Sequence, residues 1–322
     1  MLSLERVSKS YRVGIFGGSE LRAVNDVSFD LHPGEVVSLI GESGSGKSTI
    51  GKMILRLLAV NGGTIRIDGA DVAPLKGAAL RDYYRRVQGV FQDPFSSCNP
   101  VFKVDHVFDL VRRSYFTDLD GEAWRTKLGV SLAAVSLEPG QVLHKYPHQL
   151  SGGQLQRLLI ARALLLDTEY LVADEVISML DASTRIDVLN LLGDLKARGL
   201  GILFITHDLS LGNYISERTV ILRRGRIVEM GATAKVFGNP LHPYTKMLLG
   251  SVPSLHDRWG KESEVAAAWT AAAAATAASE PCLYHAAFPV ADERPGVARP
   301  ALAAIDSEHL VGCRRAEGEG AC

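Results

Sequence analysis

The chain has 322 residues, 47% of them hydrophobic and 22% charged, with a formal net charge of −1. That is the composition of a folded protein of more than one average domain, and its neutrality argues against a partner held through bulk charge, such as nucleic acid. Four irregularly spaced cysteines (Cys98, Cys282, Cys313 and Cys322) make no disulfide framework and imply a reducing compartment, and neither a secretory leader nor an apolar stretch long enough to span a membrane is legible.

In chain order, Leu2–Val7 and Val24–Leu31 read as short strands around a glycine-bearing loop at Gly14–Ser19, and Asp30–Gly34 as a turn at its Pro-Gly pair. The β-branched run Glu35–Gly41 is a predicted strand that enters "GESGSGKST" (Gly41–Thr49), and Ser48–Leu58 has apolar residues at helical spacing. Gly63–Gly69 is a short strand, and residues 71–150 are mixed and mostly helical. Gln154–Leu166 and Ser183–Leu195 are predicted helices, Glu169–Glu175 and Gly201–Asp208 buried strands, and Arg218–Gly231 a hairpin with a solvated tip at Arg224-Gly225. Alternating βα units predict an α/β fold with a parallel sheet covered on both faces. Composition shifts after about residue 255, through a polar stretch and the alanine run Ala266–Ala278, so a boundary is placed near 231 with 232–322 as an appendage.

Gly41-x4-Gly46-Lys47-Ser48 is a complete P-loop pattern between a strand and a helix. Its glycines let backbone N–H groups turn toward phosphate oxygens, Lys47 brings a point charge, the Ser48 hydroxyl suits Mg²⁺, and the helix N-terminus faces the same anion. "LVADE" ends an apolar strand with two carboxylates, Asp174 suited to hold Mg²⁺ and Glu175 to act as general base, or else forms an acidic turn. His207, just past another buried strand, can reach a terminal phosphate or simply pack in a turn. Gln92 can meet a metal-bound water or be a solvated loop residue, and Tyr11 can stack on a purine or be an ordinary tyrosine. "LSGGQLQR" (Leu150–Arg157) is a second glycine-rich helix start, which a chain acting alone does not need.

Taken in order, Tyr11, "GESGSGKST", Gln92, "LSGGQ", "LVADE", "SMLD" and "THD" resemble the ATP-binding cassette (ABC) family over residues 1–231. The resemblance implies a P-loop ATPase core with a helical subdomain at about 93–166 and an antiparallel N-terminal β region. It implies that Tyr11 stacks on adenine and that Gly41, Ser43, Gly44, Gly46, Lys47, Ser48 and Thr49 cradle the phosphates. Ser48, Gln92 and Asp174 would serve Mg²⁺, and Glu175, His207, Gln92 and Lys47 hydrolysis. Ser151, Gly152, Gly153, Gln154 and Asp181 would act in trans, on ATP held by a partner cassette. After Glu175 the family usually has Pro-Thr-Ser-Ala-Leu-Asp, and Val176, Ile177 and Met179 depart from it here.

"DPFSSCNP" (Asp93–Pro100) and "GNPLHPYTKMLLGSVP" (Gly238–Pro253) resemble the dipeptide/oligopeptide importer subfamily. That implies a peripheral ATPase on the cytoplasmic face of the inner membrane. Its partners would be a second, different ATPase chain, two permease subunits and an extracytoplasmic solute-binding protein. The extension at 232–322, with an Ala-rich linker at about 258–280, resembles a region that holds a four-cysteine iron–sulfur cluster in some members. Only Cys282 and Cys313 match; Cys282-x2-His285 with His309-x3-Cys313 has zinc-like spacing, and two inert cysteines are the alternative. The competing functions are a soluble ABC-type ATPase of DNA repair or translation, and a non-hydrolysing regulatory cassette.

Overall fold

The computed structural model describes residues 1–13, 19–251 and 302–312. β1 (Leu2–Val13) and β2 (Ser19–Leu31) form an antiparallel pair. Both outrun the apolar segments legible in the sequence, because Ser10 to Val13 pair with Arg22 to Ser19. β3 (Val36–Ile40) leads to α1 (Lys47–Ile54), then β4 (Gly62–Ile67) and β5 (Ala70–Asp71). α2 (Gly77–Arg86) runs straight into β6 (Val87–Val90). A helical region follows: α3 (Asp105–Tyr115), α4 (Gly121–Ala133), α5 (Pro139–Val142) and α6 (Gly152–Leu164). Next come β7 (Tyr170–Asp174), α7 (Ala182–Ala197), β8 (Gly201–Thr206), α8 (Leu209–Ile215), and the hairpin β9 (Arg218–Arg223) and β10 (Arg226–Ala232). The described remainder is α9 (Thr233–Gly238), α10 (Pro243–Gly250), β11 (Ala303–Asp306) and β12 (His309–Val311).

Two sheets organise these elements. A four-stranded antiparallel sheet has the order β2-β1-β4-β5, and an eight-stranded mixed sheet the order β11-β12-β10-β9-β3-β8-β7-β6. β3, β7 and β8 are buried along their whole length. They lie inside the parallel part of the sheet, covered on both faces, so their sequences run continuously apolar rather than alternating. α1 is held between the two sheets, with Ile50, Met53 and Ile54 in one core with Leu4, Val27, Leu39 and Ile205. A second core joins the other face of the main sheet to α3, α4, α6 and α7, through Phe108, Trp124, Leu155, Leu159, Val188 and Phe204.

Three differences from the sequence reading have physical causes. α1 stops at Ile54, four residues early, because Arg56 takes a left-handed φ of 53° and Leu57 and Leu58 turn their N–H groups back onto Lys52. β6 lies in a segment read as mostly helical; four residues carry too little pattern, and parallel pairing with β7 makes the strand. Finally, the described residues past 231 pack back on the cassette. α10 buries Tyr244 in a cluster with Ile40, Leu209 and Ile221, and β12 pairs with β10 to extend the main sheet. The Ala-rich stretch lies outside the described residues. Among the described residues, no helix is long and apolar enough to cross a membrane.

Candidate functional site

The parallel registers bring the chemistry to one edge of the sheet. Ile40 pairs with Thr206, and Asp174 with Ile205, so Gly41, Glu175 and His207 leave β3, β7 and β8 side by side at their carboxyl ends. This is where open α/β sheets bind ligands. A Cβ on Gly41 would lie 2.1 Å from the Leu222 carbonyl oxygen, and one on Gly46 (φ 106°) 2.4 Å from that of Ala23. The loop is thus wedged between β9 and β2 where only glycine fits. Gly46 is also the N-cap of α1, and no side chain caps that helix. The positive end of α1 therefore opens into the loop without an internal acceptor.

Lys47 is 5% exposed, and its Nζ donates to the carbonyl oxygens of Gly41 at 2.7 Å and Glu42 at 2.8 Å. Burial pulls its pKa down, against the upward pull of Glu175, Asp174 and Glu42. The Ser48 hydroxyl donates to Asp174 Oδ1 at 3.1 Å. Burial pushes the Asp174 carboxyl up, and the Ser48 bond opposes that. Glu175 adopts φ 50°, a left-handed conformation that costs a non-glycine residue about 1 kcal/mol or more, and such outliers gather at functional sites. It is pinned by its N–H to Ile205 O at 2.9 Å, and its Oε1 lies 3.2 Å from His207 Nδ1. With Glu175 ionised, Nδ1 is the donor in that bond. Gln92 follows Val90, which pairs with Ala173, so it emerges at the same edge and is exposed. Tyr11 is half-buried on β1 opposite Leu21, two residues from the Ala23 carbonyl that bounds Gly46, and Lys9 Nζ lies 5.6 Å from its ring centre.

The second glycine-rich start is built differently. Ser151 is the N-cap of α6. Its Oγ accepts the Gln154 N–H at 3.2 Å and its own N–H donates to Gln154 Oε1 at 3.1 Å, a capping box. Gly153 is buried, and a Cβ there would meet Thr184 Cγ2 at 2.3 Å. Thr184 in turn bonds Asp181, the N-cap of α7, through its N–H at 3.0 Å and its hydroxyl at 2.8 Å. These bonds hold the Asp181 carboxyl well below the usual range. The structure therefore forms two groups: Lys47, Ser48, Asp174, Glu175 and His207 in one, Ser151, Gly152, Gly153, Gln154 and Asp181 in the other. Between them, Val176 and Ile177 are each 2% exposed in the core, while Met179 is 61% exposed.

Two features of the site escaped the sequence reading. The hairpin tip read as solvated is a two-residue turn with φ 45° at Arg224 and 77° at Gly225, and it braces the P-loop: Gly225 N–H donates to Ser45 O at 2.8 Å. No local signal marks that contact. The capping box was readable as Ser-x-x-Gln. Of the proposed tail ligands, Cys282, His285 and Cys313 lie outside the described residues. His309 is buried on β12 with Nε2 2.7 Å from Glu229 Oε1, so one ring nitrogen is already engaged. Among the described residues, no cluster of three or more His, Cys, Asp or Glu is placed to hold a metal.

An uncapped helix start over a glycine loop, a buried lysine, and a hydroxyl beside a carboxylate are the donors that a nucleotide triphosphate and Mg²⁺ require. Fold and site together define a P-loop ATPase of the cassette type. Residues 24–178 match the ABC transporter family, and residues 228–294 match the oligopeptide/dipeptide transporter C-terminal region. The chain is 44% identical over 240 residues to the dipeptide transport ATP-binding protein DppF of Lactococcus lactis, covering 72% of this chain and 75% of the relative. It is 40% identical over 257 residues to the oligopeptide transport ATP-binding protein OppF of Streptococcus mutans, covering 79% and 82%. Among solved structures, a dimeric ATP-binding cassette in a post-hydrolysis state with ADP and phosphate superposes with a TM-score of 0.64 at 30% identity, over 72% of this chain and 99% of that one. The chain belongs to the ABC family of transporter ATPases, in the branch that carries the oligopeptide/dipeptide C-terminal region.

Proposed function

We propose that this chain hydrolyses ATP to power an importer of peptides or a related small solute. The reading is carried by the convergence of Lys47, Ser48, Asp174, Glu175 and His207 on one sheet edge. The solute class rests on the C-terminal region at 228–294 and on relatives named for dipeptide and oligopeptide transport. Gly41, Ser43, Gly44, Gly46 and Thr49 line the phosphates, and Tyr11 stacks on the adenine. Lys47 exchanges the Gly41 and Glu42 carbonyls for phosphate oxygens, a stronger, charge-assisted pairing. Ser48, Asp174 and Gln92 hold Mg²⁺, which when bound neutralises charge on the phosphate oxygens. Glu175 accepts a proton from the attacking water as that water displaces ADP from the terminal phosphate, and His207 orients Glu175 and the phosphate.

Ser151, Gly152, Gly153, Gln154 and Asp181 complete the site of a partner cassette, so ATP joins two ATPase chains and hydrolysis releases them. Two permease subunits and an extracytoplasmic solute-binding protein complete the transporter, with this chain peripheral on the cytoplasmic face of the inner membrane. Glu175→Gln tests the chemistry: the turnover number should fall by about 10²–10⁴-fold while MgATP affinity stays within about twofold. Unchanged turnover would instead support the regulatory cassette, and stimulation by DNA or ribosomes without a permease the soluble ATPase.

A further inference from the structure

The P-loop is braced by a residue far along the chain. Glu42 donates its backbone N–H to the Tyr244 hydroxyl oxygen at 3.2 Å, across 202 positions. Its carbonyl oxygen accepts Lys47 Nζ at 2.8 Å and the Ser45 N–H at 3.1 Å. One peptide neighbourhood thus joins α10 on one side to the phosphate-binding lysine on the other.

Tyr244 is itself tightly placed. It is 1% exposed, packed with Ile40, Leu209 and Ile221, and Arg223 lies over its ring at 4.9 Å. His242, the N-cap of α10, accepts the Tyr244 N–H on Nδ1 at 3.0 Å. The N–H groups of Leu241 and His242 are held by the Glu229 carboxylate at 2.8 and 2.9 Å. Glu229 is fully buried and closes on His309 Nε2 from β12. A connected set of bonds therefore runs from the β11–β12 hairpin, through His309, Glu229, His242 and Tyr244, to Glu42.

We infer that Tyr244 is a positioning residue for the nucleotide site, through which the segment after the cassette sets nucleotide affinity. Its hydroxyl fixes the Glu42 N–H, and with it the orientation of the neighbouring carbonyl that competes with phosphate for Lys47. Without that acceptor the loop must be ordered when nucleotide binds, and ordering opposes binding. The benzene ring of phenylalanine preserves the core packing and the Arg223 contact, so Tyr244→Phe removes one oxygen only.

Because this rests on Gly41–Thr49 being the phosphate cradle, MgATP and MgADP binding are measured on wild type and variant together. Tyr244→Phe should raise both dissociation constants about three- to tenfold, the worth of one hydrogen bond, and raise KM for ATP in parallel with little change in kcat. His309→Gln, at the far end of the bonds, should shift them in the same direction by less. A wild type that binds no MgATP sinks the cradle itself. A wild type that binds, with Tyr244→Phe binding equally well even if its Tm is lower, overturns the positioning role and leaves the cradle intact.

Discussion

Two helices in this molecule begin at a serine-and-glycine stretch and are finished in opposite ways. α1 starts on a left-handed glycine with no side chain over its first turn, and its lysine is folded onto loop carbonyls. α6 starts on Ser151, whose hydroxyl oxygen already accepts the Gln154 N–H. At the first, glycine serves both conformation, φ 106° at Gly46, and close approach to the Ala23 carbonyl; at the second it serves close approach alone, Gly153 against Thr184. The lesson is that similar letters at a helix start do not imply equal readiness for an anion. To take an anion, α1 needs only to release its lysine, whereas α6 would have to exchange an internal cap for a phosphate oxygen, which in the function proposed above a partner cassette brings.

That contrast can be broken most decisively at Ser151. Ser151→Arg places a bulky cation at the positive end of α6 and should leave MgATP binding by the isolated chain unchanged. In the assembled transporter, hydrolysis at the partner's P-loop should fall by about 10²-fold or more. Equal rates would mean that α6 plays no part in the shared site. The next effect concerns the side of the molecule on which α1's loop leans. Burial, with Arg223 and Lys246 nearby, brings His242 down to about 3 from 6.5. The folded chain keeps it neutral while the unfolded chain takes up a proton, so this group withdraws stability as pH falls from about 6.5 toward 3 and withdraws none above that window. His242→Asn keeps an acceptor for the Tyr244 N–H and removes the titration. Its stability should decline less steeply than wild type on acidification, by an amount on the order of a few kcal/mol, read from denaturant midpoints across the pH series. Parallel pH profiles would show that His242 does not carry this dependence. The smallest effect is expected at Gly153→Ala, where the new methyl must displace Thr184 for about 1–3 kcal/mol and a Tm lower by a few degrees. A neutral result would mean that the junction between α6 and α7 yields freely.

The chemistry was legible where it is local. Gly41 to Ser48 declare themselves within eight positions, and Asp174 and Glu175 end a strand whose five buried residues leave no alternation to misread. The resemblance then assembled distant residues into one order, and the parallel registers explain why Gly41, Glu175 and His207 meet. What stayed hidden depends on partners far away in sequence. β6 becomes a strand only beside β7, the tip at Gly225 is recruited to Ser45, and Tyr244 reaches Glu42 from 202 residues away. Nor could spacing reveal that His309, one of two histidines in a zinc-like pattern, closes on a buried glutamate. The departures Val176 and Ile177 were visible as letters; that they fill the core while Met179 faces outward needed coordinates.

The pairing of β12 with β10 also sets a clock on biosynthesis. Glu229 and His309 are 80 residues apart, and at translation rates of about 5–20 residues per second the second follows the first by roughly 4–16 s. Until β12 is made, β9 is the one strand among the described residues that can pair with β10. An open strand edge carrying Ile227, Val228 and Met230 is a template for any extended chain nearby, including the same strand on a neighbouring ribosome. The late hairpin closes that edge, so a nascent chain stalled within the alanine-rich stretch would leave it open.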